Sequence, residues 1–453
     1  MNAAPESLEE VTPELVRRIE EALDGGRSEE IRTLLADLSP VGQAEVLEQI
    51  AEPHRDALVA LTKRELDPET LAELDEDVRD DVLEQLDSKE IAAAAHELET
   101  DDAASLLEDL PEDERREVLA ELPADERVDI EQALSYPEDS AGRLMQRSLV
   151  KVPENWEVGQ VIDYCREAGD LPDDVYDLFV VDSGGRLKGS VPLGRMLRAK
   201  RPVPITDLLD PDIPSVPVDM DKEEVAHLFR DQNLVSCPVV DELGRLEGVI
   251  MVDDVVDVID EEAEEDLLKM GGVGVDDMRA STGRTVRLRA IWLAVNLLTA
   301  VVASVVIGQF EDAIEKIVAL AVLMPIVASM GGNAGTQTVT VAVRALAMGE
   351  LTAANAFRFV AKEFAVGGLN GIIFAVLMGG AVVAWYRDWR LGAVIGAAMI
   401  CNLLAAALGG TLIPLGLRLF GIDPAVSSTV FLTTVTDVIG FLSFLGLATL
   451  FLL

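Results

Sequence analysis

Residues 285–453 contain five apolar stretches, at about 288–307, 316–344, 359–384, 391–417 and 426–453, each long enough to cross a bilayer. In hydrocarbon every backbone N–H and C=O must be satisfied internally, so this half of the chain is confined to a bundle of helices. It holds nine Lys+Arg and eight Asp+Glu, leaving 28 basic and 74 acidic groups, a formal charge of −46, in residues 1–284. Such a surface excludes nucleic acid as a partner, because phosphate binding needs a basic footprint. It favours divalent cations. A solvated acidic surface in an acid-biased proteome is the competing reading, and it covers most of these carboxylates.

The last apolar run differs from the others in holding an acid well inside it, Asp437, within Thr433-Thr434-Val435-Thr436-Asp437. From Ala425 to Asp437 is about 18 Å of helix, which predicts a carboxylate near mid-bilayer. An ionisable group at that depth is costly and marks a functional site by default. Thr433 and Thr434, four and three residues before it, share its helical face, giving an oxygen-lined site suited to a hard cation, with Thr433 and Thr436 as candidate pore-lining residues. A protonated acid in a helix interface, or one paired with arginine, is the alternative. The second run carries Pro325 and then Gly331-Gly332-Asn333-Ala334-Gly335-Thr336-Gln337, where tight helix crossing and pore lining by Asn333 and Gln337 stand as equal readings. Arg284, Arg287 and Arg289 before the first run, Arg344, Arg358 and Lys362 around the second connection and Arg418 near the fourth place the N-terminus and these connections in the cytosol, and the C-terminus outside.

The soluble half has its own grammar. Residues 8–145 read as short amphipathic helices punctuated by Leu38-Ser39-Pro40, Leu66-Asp67-Pro68, Leu110-Pro111 and Leu122-Pro123, which predicts a small α-superhelix. Glu99-Thr100-Asp101-Asp102 fits the cap and first turn of a helix better than a dedicated metal site. From about Met145, Phe179-Val180-Val181-Asp182 through Gly189 matches Pro238-Val239-Val240-Asp241 through Gly248 at a constant offset of 59. Gly185 and Gly244 are expected at hairpin tips, with Gly189 and Gly248 entering the next strand. This repeat resembles a tandem pair of cystathionine-β-synthase (CBS) domains, regulatory modules that bind ATP or another adenine nucleotide in some proteins. After the second copy, Asp254, Asp257 and Glu261 form one helical stripe of carboxylates, and Glu262, Glu265 and Asp266 continue it on a neighbouring stripe. Like charges so spaced repel, and the arrangement asks for bound cations; a solvated linker is the alternative. Gly271-Gly272-Val273-Gly274 then breaks the path.

Cys165, Cys237 and Cys401 form no CxxC, and the N-terminus lacks the basic and apolar regions of a secretory signal. No HExxH, GxSxG or Walker A loop occurs, and His54, His96 and His227 all lie in the soluble half, so an enzyme is not expected.

The order of an acidic helical domain, paired CBS units, an acidic connecting helix and five spans resembles the MgtE family of magnesium channels and transporters. Pro137-Glu138-Asp139-Ser140-Ala141-Gly142-Arg143-Leu144-Met145, Gly331-Gly332-Asn333-Ala334-Gly335-Thr336-Gln337, Asp423-Pro424 and Thr436-Asp437 carry the resemblance. It implies a multidomain membrane protein: an α-superhelical N-domain (1–144), tandem α/β CBS domains (145–204 and 205–262), a connecting or plug helix (263–284) and an all-α transmembrane domain of five helices (285–453). It further implies a homodimer in the cytoplasmic membrane that takes up Mg2+, with cytosolic Mg2+ closing the pore. By position, Asp437 is then the pore ligand and Asp423 a gate contact. Asp254, Asp257, Glu262, Glu265 and Asp266 form the sensing face, with Asp101 and Asp102 as its N-domain part. The remaining alternatives are a transporter of Mn2+ or Co2+ and a membrane-bound nucleotide-sensing receptor. As an N-cap of the last helix, Asp423 also has a purely structural reading, with Pro424 in the first turn.

Overall fold

The computed structural model describes residues 11–62, 66–108, 110–168, 171–172, 175–273, 282–426 and 428–453, which fall into two compact units, Met1–Asp260 and Glu261–Leu453. In the first, ten short helices follow one another: α1 (Pro13–Asp24), α2 (Ser28–Ala36), α3 (Pro40–Gln49), α4 (Glu52–Thr62), α5 (Pro68–Ala72), α6 (Glu76–Leu83), α7 (Ser88–Glu97), α8 (Thr100–Glu108), α9 (Glu112–Glu121) and α10 (Ala124–Ala133). The punctuation noted above is what starts them. Thr12, Ser39 and Asp67 each accept a backbone N–H of the first turn, and Pro13, Pro40 and Pro68 occupy the position where a missing N–H costs nothing. One apolar core, including Ile19, Ile31, Leu47, Leu58 and Leu106, runs through all of them.

After α11 (Ala141–Leu144) come two copies of a small sheet. β1 (Lys151–Pro153), α12 (Val158–Glu167), β2 (Asp177–Val181), β3 (Leu187–Pro192) and α13 (Leu193–Met196) form the first copy. β4 (Val216–Pro217), α14 (Lys222–Gln232), β5 (Ser236–Val240) and β6 (Leu246–Met251) form the second. In each, the first strand is parallel to the second and the second antiparallel to the third. The offset of 59 holds for the two hairpins, but α12 and α14 begin 64 residues apart, so the first copy is longer between its helix and its central strand. Asp182 and Asp241 fold the hairpin turns, each accepting two backbone N–H groups through Oδ1, and Gly185 and Gly244 supply the positive φ. The two tips bond to each other, Leu187 N–H to Gly244 O and Leu246 N–H to Gly185 O. Gly189 and Gly248 lie inside β3 and β6 rather than at their entry, because neighbouring backbone leaves no room for a Cβ at either.

Helix α15 (Val252–Gly271) is continuous, so the boundary expected between 262 and 263 falls inside one helix. It ends at the glycines anticipated for a break, with Gly272 at positive φ. The rest of the connecting segment, 274–281, lies outside the described residues.

Among the described residues of the second unit, five helices are long and apolar enough to cross a membrane: α16 (Thr282–Gly308), α18 (Ala319–Ala347), α19 (Ala356–Tyr386), α20 (Trp389–Leu419) and α21 (Ser428–Leu452). A short helix that the apolar pattern did not reveal, α17 (Glu311–Lys316), lies between the first two. The most buried of the spans is α20, against which α18, α19 and α21 pack; α16 packs on α21. At the centre of this packing Asn402 is fully buried and donates from Nδ2 to the Val327 carbonyl at 2.7 Å. Gly331 of α18 and Gly440 of α21 face that amide, and their missing side chains are the space it occupies. A methyl group added at Gly331 would collide with it. The substitution Gly331→Ala is therefore expected to destabilise the helical bundle by about 1–3 kcal/mol, the usual cost of overpacking. Thermal unfolding of the detergent-solubilised protein, compared with the conservative control Gly332→Ala at an open position, checks this.

Candidate cation sites

Two groups of the carboxylates singled out from the sequence are brought together by the fold, one in each unit. In the first unit, α8 carries Asp101 and Asp102 in its first turn, and the start of α15 carries Asp253, Asp254 and Asp257. Asp254 Oδ2 accepts the Met251 N–H at 3.3 Å, which fixes it at the helix start. Burial first, then the neighbouring charge of Asp254, pushes the Asp101 carboxyl well above the ordinary range, and its Oδ1 is shielded from solvent with no hydrogen-bond partner. Burial likewise pushes Asp254 up to about 8, with Asp253, Asp102 and Glu99 adding repulsion. Asp102 is raised by burial and by Asp257 and Glu69, and Arg79 opposes the shift. Glu73 rises from burial and from Asp257 and Asp102. Thus Asp101 and Asp102 do open a helix, as expected, and also face the acidic stripe of α15. Glu69 on α5 and Glu73 at its C-terminal cap were missed. Nothing in their local sequence marks them, since the partner Asp257 is far along the chain.

The second group lies where α15 ends. Lys269 Nζ is 2.6 Å from Glu265 Oε1 and 3.0 Å from Asp423 Oδ2. Burial alone would lower the lysine, but the two carboxylates outweigh it and raise its pKa above the ordinary value. Asp266 is raised by burial and then by Asp423. Asp423 does not cap the last helix: α21 starts five residues later, at Ser428, and Asp423 Oδ1 instead accepts the Ala425 N–H at 2.8 Å, closing a turn through Pro424. The helix begins late because this turn comes first. Glu262 lies between the two groups along α15 and is half-buried.

Asp437 follows Ser428 by nine residues, about 13.5 Å of helix, short of the midpoint of α21. It is half-buried, Thr433 is exposed and Thr436 is fully buried, with its hydroxyl donating to the Leu432 and Thr433 carbonyls. On α18, Gly331, Gly335 and Thr338 pack inward, whereas Asn333, Thr336, Gln337 and Thr340 are exposed. The glycine-rich run therefore serves tight crossing with one face and presents amides and hydroxyls on the other. Among the described residues no three His, Cys, Asp or Glu side chains converge on a metal-ligand geometry. Near the paired sheets, Asp177 accepts the hydroxyls of Ser190 at 3.3 Å and Ser236 at 3.0 Å in a cleft beside Tyr176 and Phe179. Its free space of about 20 Å3 holds a water or two.

Three family matches fall on these parts: the MgtE intracellular N domain at residues 38–139, the CBS domain at 205–261, and MgtE, divalent cation transporter, at 324–447. The magnesium transporter MgtE of Thermus thermophilus is 37% identical over 72% of this chain and 72% of its own length. The chain belongs to the MgtE family. The magnesium transporter MgtE of Bacillus subtilis is 29% identical over 97% of this chain and 98% of its own. Among solved structures, the cytosolic domain of the Mg2+ channel MgtE in complex with ATP is 31% identical, with a TM-score of 0.49, and covers 54% of this chain and 99% of that one. The family organisation of N-domain, CBS domain and helical membrane region is the one seen here.

The shifts in the first group have a consequence for stability. A carboxyl whose folded pKa lies above its ordinary value near 3.8 favours the folded state while protonated, and that contribution is lost as pH rises toward 8. Without divalent cations, the protein is therefore expected to melt at progressively lower temperature between about pH 4 and pH 8, with little further change above, and millimolar Mg2+ should restore more of the loss at the alkaline end. Asp254→Asn should flatten both dependences. A melting profile of Asp254→Asn that follows the parent at every pH would show that this cluster does not carry the effect.

Proposed function

We propose that this chain is a Mg2+ channel or transporter that admits the ion across the cytoplasmic membrane and closes when cytosolic Mg2+ rises. The observation that carries the reading is the polar face that the membrane helices present outward: Asn333, Thr336, Gln337 and Thr340 on α18, with Thr433 and Asp437 on α21. Exposed amides and hydroxyls and a half-buried carboxylate at membrane depth are tolerated only along a water-filled path or against another protein. A second copy of the chain supplies the other wall, which is why a homodimer is the assembly proposed. Mg2+ gives up its water reluctantly, so Asp437 and its neighbours act as hydrogen-bond acceptors for the hydrated ion rather than as a dehydrating cage. Membership of a family described as divalent cation transporters, and relatives that transport magnesium, support the choice of ion.

Closure is assigned to the carboxylate groups. At low Mg2+ the repulsion among Asp101, Asp102, Asp254 and Asp257 opposes their approach, and a divalent cation between them reverses the sign of that interaction. Glu262, Glu265 and Asp266 extend the same stripe along α15 toward Asp423. The arginines and lysine at Arg287, Arg289, Arg344, Arg358, Lys362 and Arg418 support a cytosolic side for the acidic domains.

In proteoliposomes carrying a Mg2+ indicator, the parent protein is expected to pass Mg2+, and Asp437→Ala to reduce that flux to the level of empty vesicles with an unchanged melting temperature. Parent-level flux in Asp437→Ala removes Asp437 from the path. Parallel traces with Mn2+ and Co2+ decide the ion: faster Mn2+ or Co2+ flux at equal concentration would replace Mg2+ as the substrate.

A further inference from the structure

Between the end of α15, α16 and α21 lies a cavity of about 120 Å3, room for several waters, bounded by Lys269, Trp292, Asn296, Thr429 and Thr433. Thr429, Thr433 and Asp437 are spaced by four on α21, so the cavity opens onto the stripe that leads to Asp437. The hydroxyls of Thr429 and Thr433 donate to the carbonyls of Met270 and Thr429, which leaves their lone pairs as acceptors. Such a lining suits a hydrated cation. The cation already there is the protein's own: the Lys269 ammonium bridges Glu265 and Asp423 at the cavity wall. Met270, the next residue, packs against Val339, Val343, Ala425 and Leu432. The end of α15 is thus docked on α18 and α21 by one apolar side chain, one hydroxyl bond and one ammonium.

We propose that Lys269 is a tethered cation that latches the end of α15 over the Asp437 path, filling the place between Glu265 and Asp423 that a bridging metal ion would otherwise take. The inference rests on the reading of Asp437 as the pore ligand. Under it, this contact holds without divalent ions, and the Mg2+ response resides in the carboxylates of the first unit. It also separates the roles of the two oxygens of Asp423: Oδ1 holds the turn through Ala425, and Oδ2 holds the latch.

A double-mutant cycle on flux through the full-length protein in proteoliposomes, with no Mg2+ on the side of the acidic domains, tests this. An ion pair this exposed is worth little, so Lys269→Met is expected to raise the initial flux about two- to fivefold. Asp423→Asn, which keeps the turn, is expected to raise it by a similar factor, and the double variant no further than the larger single effect. Lys269→Arg, retaining the charge, should return the low flux, and Lys269→Gln replaces Lys269→Met if the latter fails to fold. Flux in Lys269→Met equal to the parent's, or single effects that multiply in the double variant, overturns the latch. Parent and Asp437→Ala run alongside: if these two are indistinguishable, the pore reading has failed; if they differ while Lys269→Met matches the parent, only the latch has.

Discussion

Carboxylates crowded together with too few cations among them are the constraint on which the soluble part of this molecule depends. Two helices meet acid to acid in the first unit, Asp101 and Asp102 on α8 against Asp254 and Asp257 on α15, and Arg79 is the cation whose charge opposes the shift at Asp102. Each such group desolvated near another disfavours ionisation, and the system has two ways out: bind a proton or bind a metal ion. That choice makes the packing of the domain depend on the solution around it. A hydrophobic interface of the same size would carry no such information, because its stability would hardly change with Mg2+ or pH.

At the other end of α15 the same problem is solved differently. Glu265, Asp266 and Asp423 come together, and a lysine from the same helix is placed among them. An ammonium fixed to the chain is present at every Mg2+ concentration, so on the proposed reading this contact is constitutive where the first is conditional. The family match at 324–447 begins within α18 and ends within α21, so it covers the membrane helices that such a helix would act upon.

Within the membrane unit, close packing and the polar path use opposite faces of one helix. Gly331 and Gly335 let α18 approach α20 and α21, and Asn402 fills the space left by Gly331 and Gly440. Because the helix repeats every 3.6 residues, Asn333, two residues after Gly331, and Gln337, two after Gly335, turn outward. The tight-crossing reading of this motif is met by Gly331 and Gly335, and the residues of the pore-lining reading, Asn333 and Gln337, lie on the exposed face.

Local patterns carried much of this architecture. The five spans followed from apolar length, the helical domain from Ser-Pro and Asp-Pro starts, and the two sheets from a hairpin whose Asp and Gly residues bond within a few positions of one another. Asp437 stood out because a charge inside hydrocarbon needs a reason that no local structure supplies. Only the tertiary structure decided what depends on residues distant in sequence. Glu69 and Glu73 join the acidic cluster through Asp257, and Lys269 meets Asp423 across more than 150 positions. The alternative reading of Asp423 as a helix cap fails: Asp-Pro before an apolar run has the form of one, but here a turn intervenes and α21 starts at Ser428. Burial, too, was invisible beforehand: Thr433 and Thr436 look alike in the chain, yet one is exposed and the other fully enclosed. Helix and turn formation are governed by neighbours a few residues apart, which a sequence displays; the pairing of charges is governed by distance in space, which only the folded chain sets.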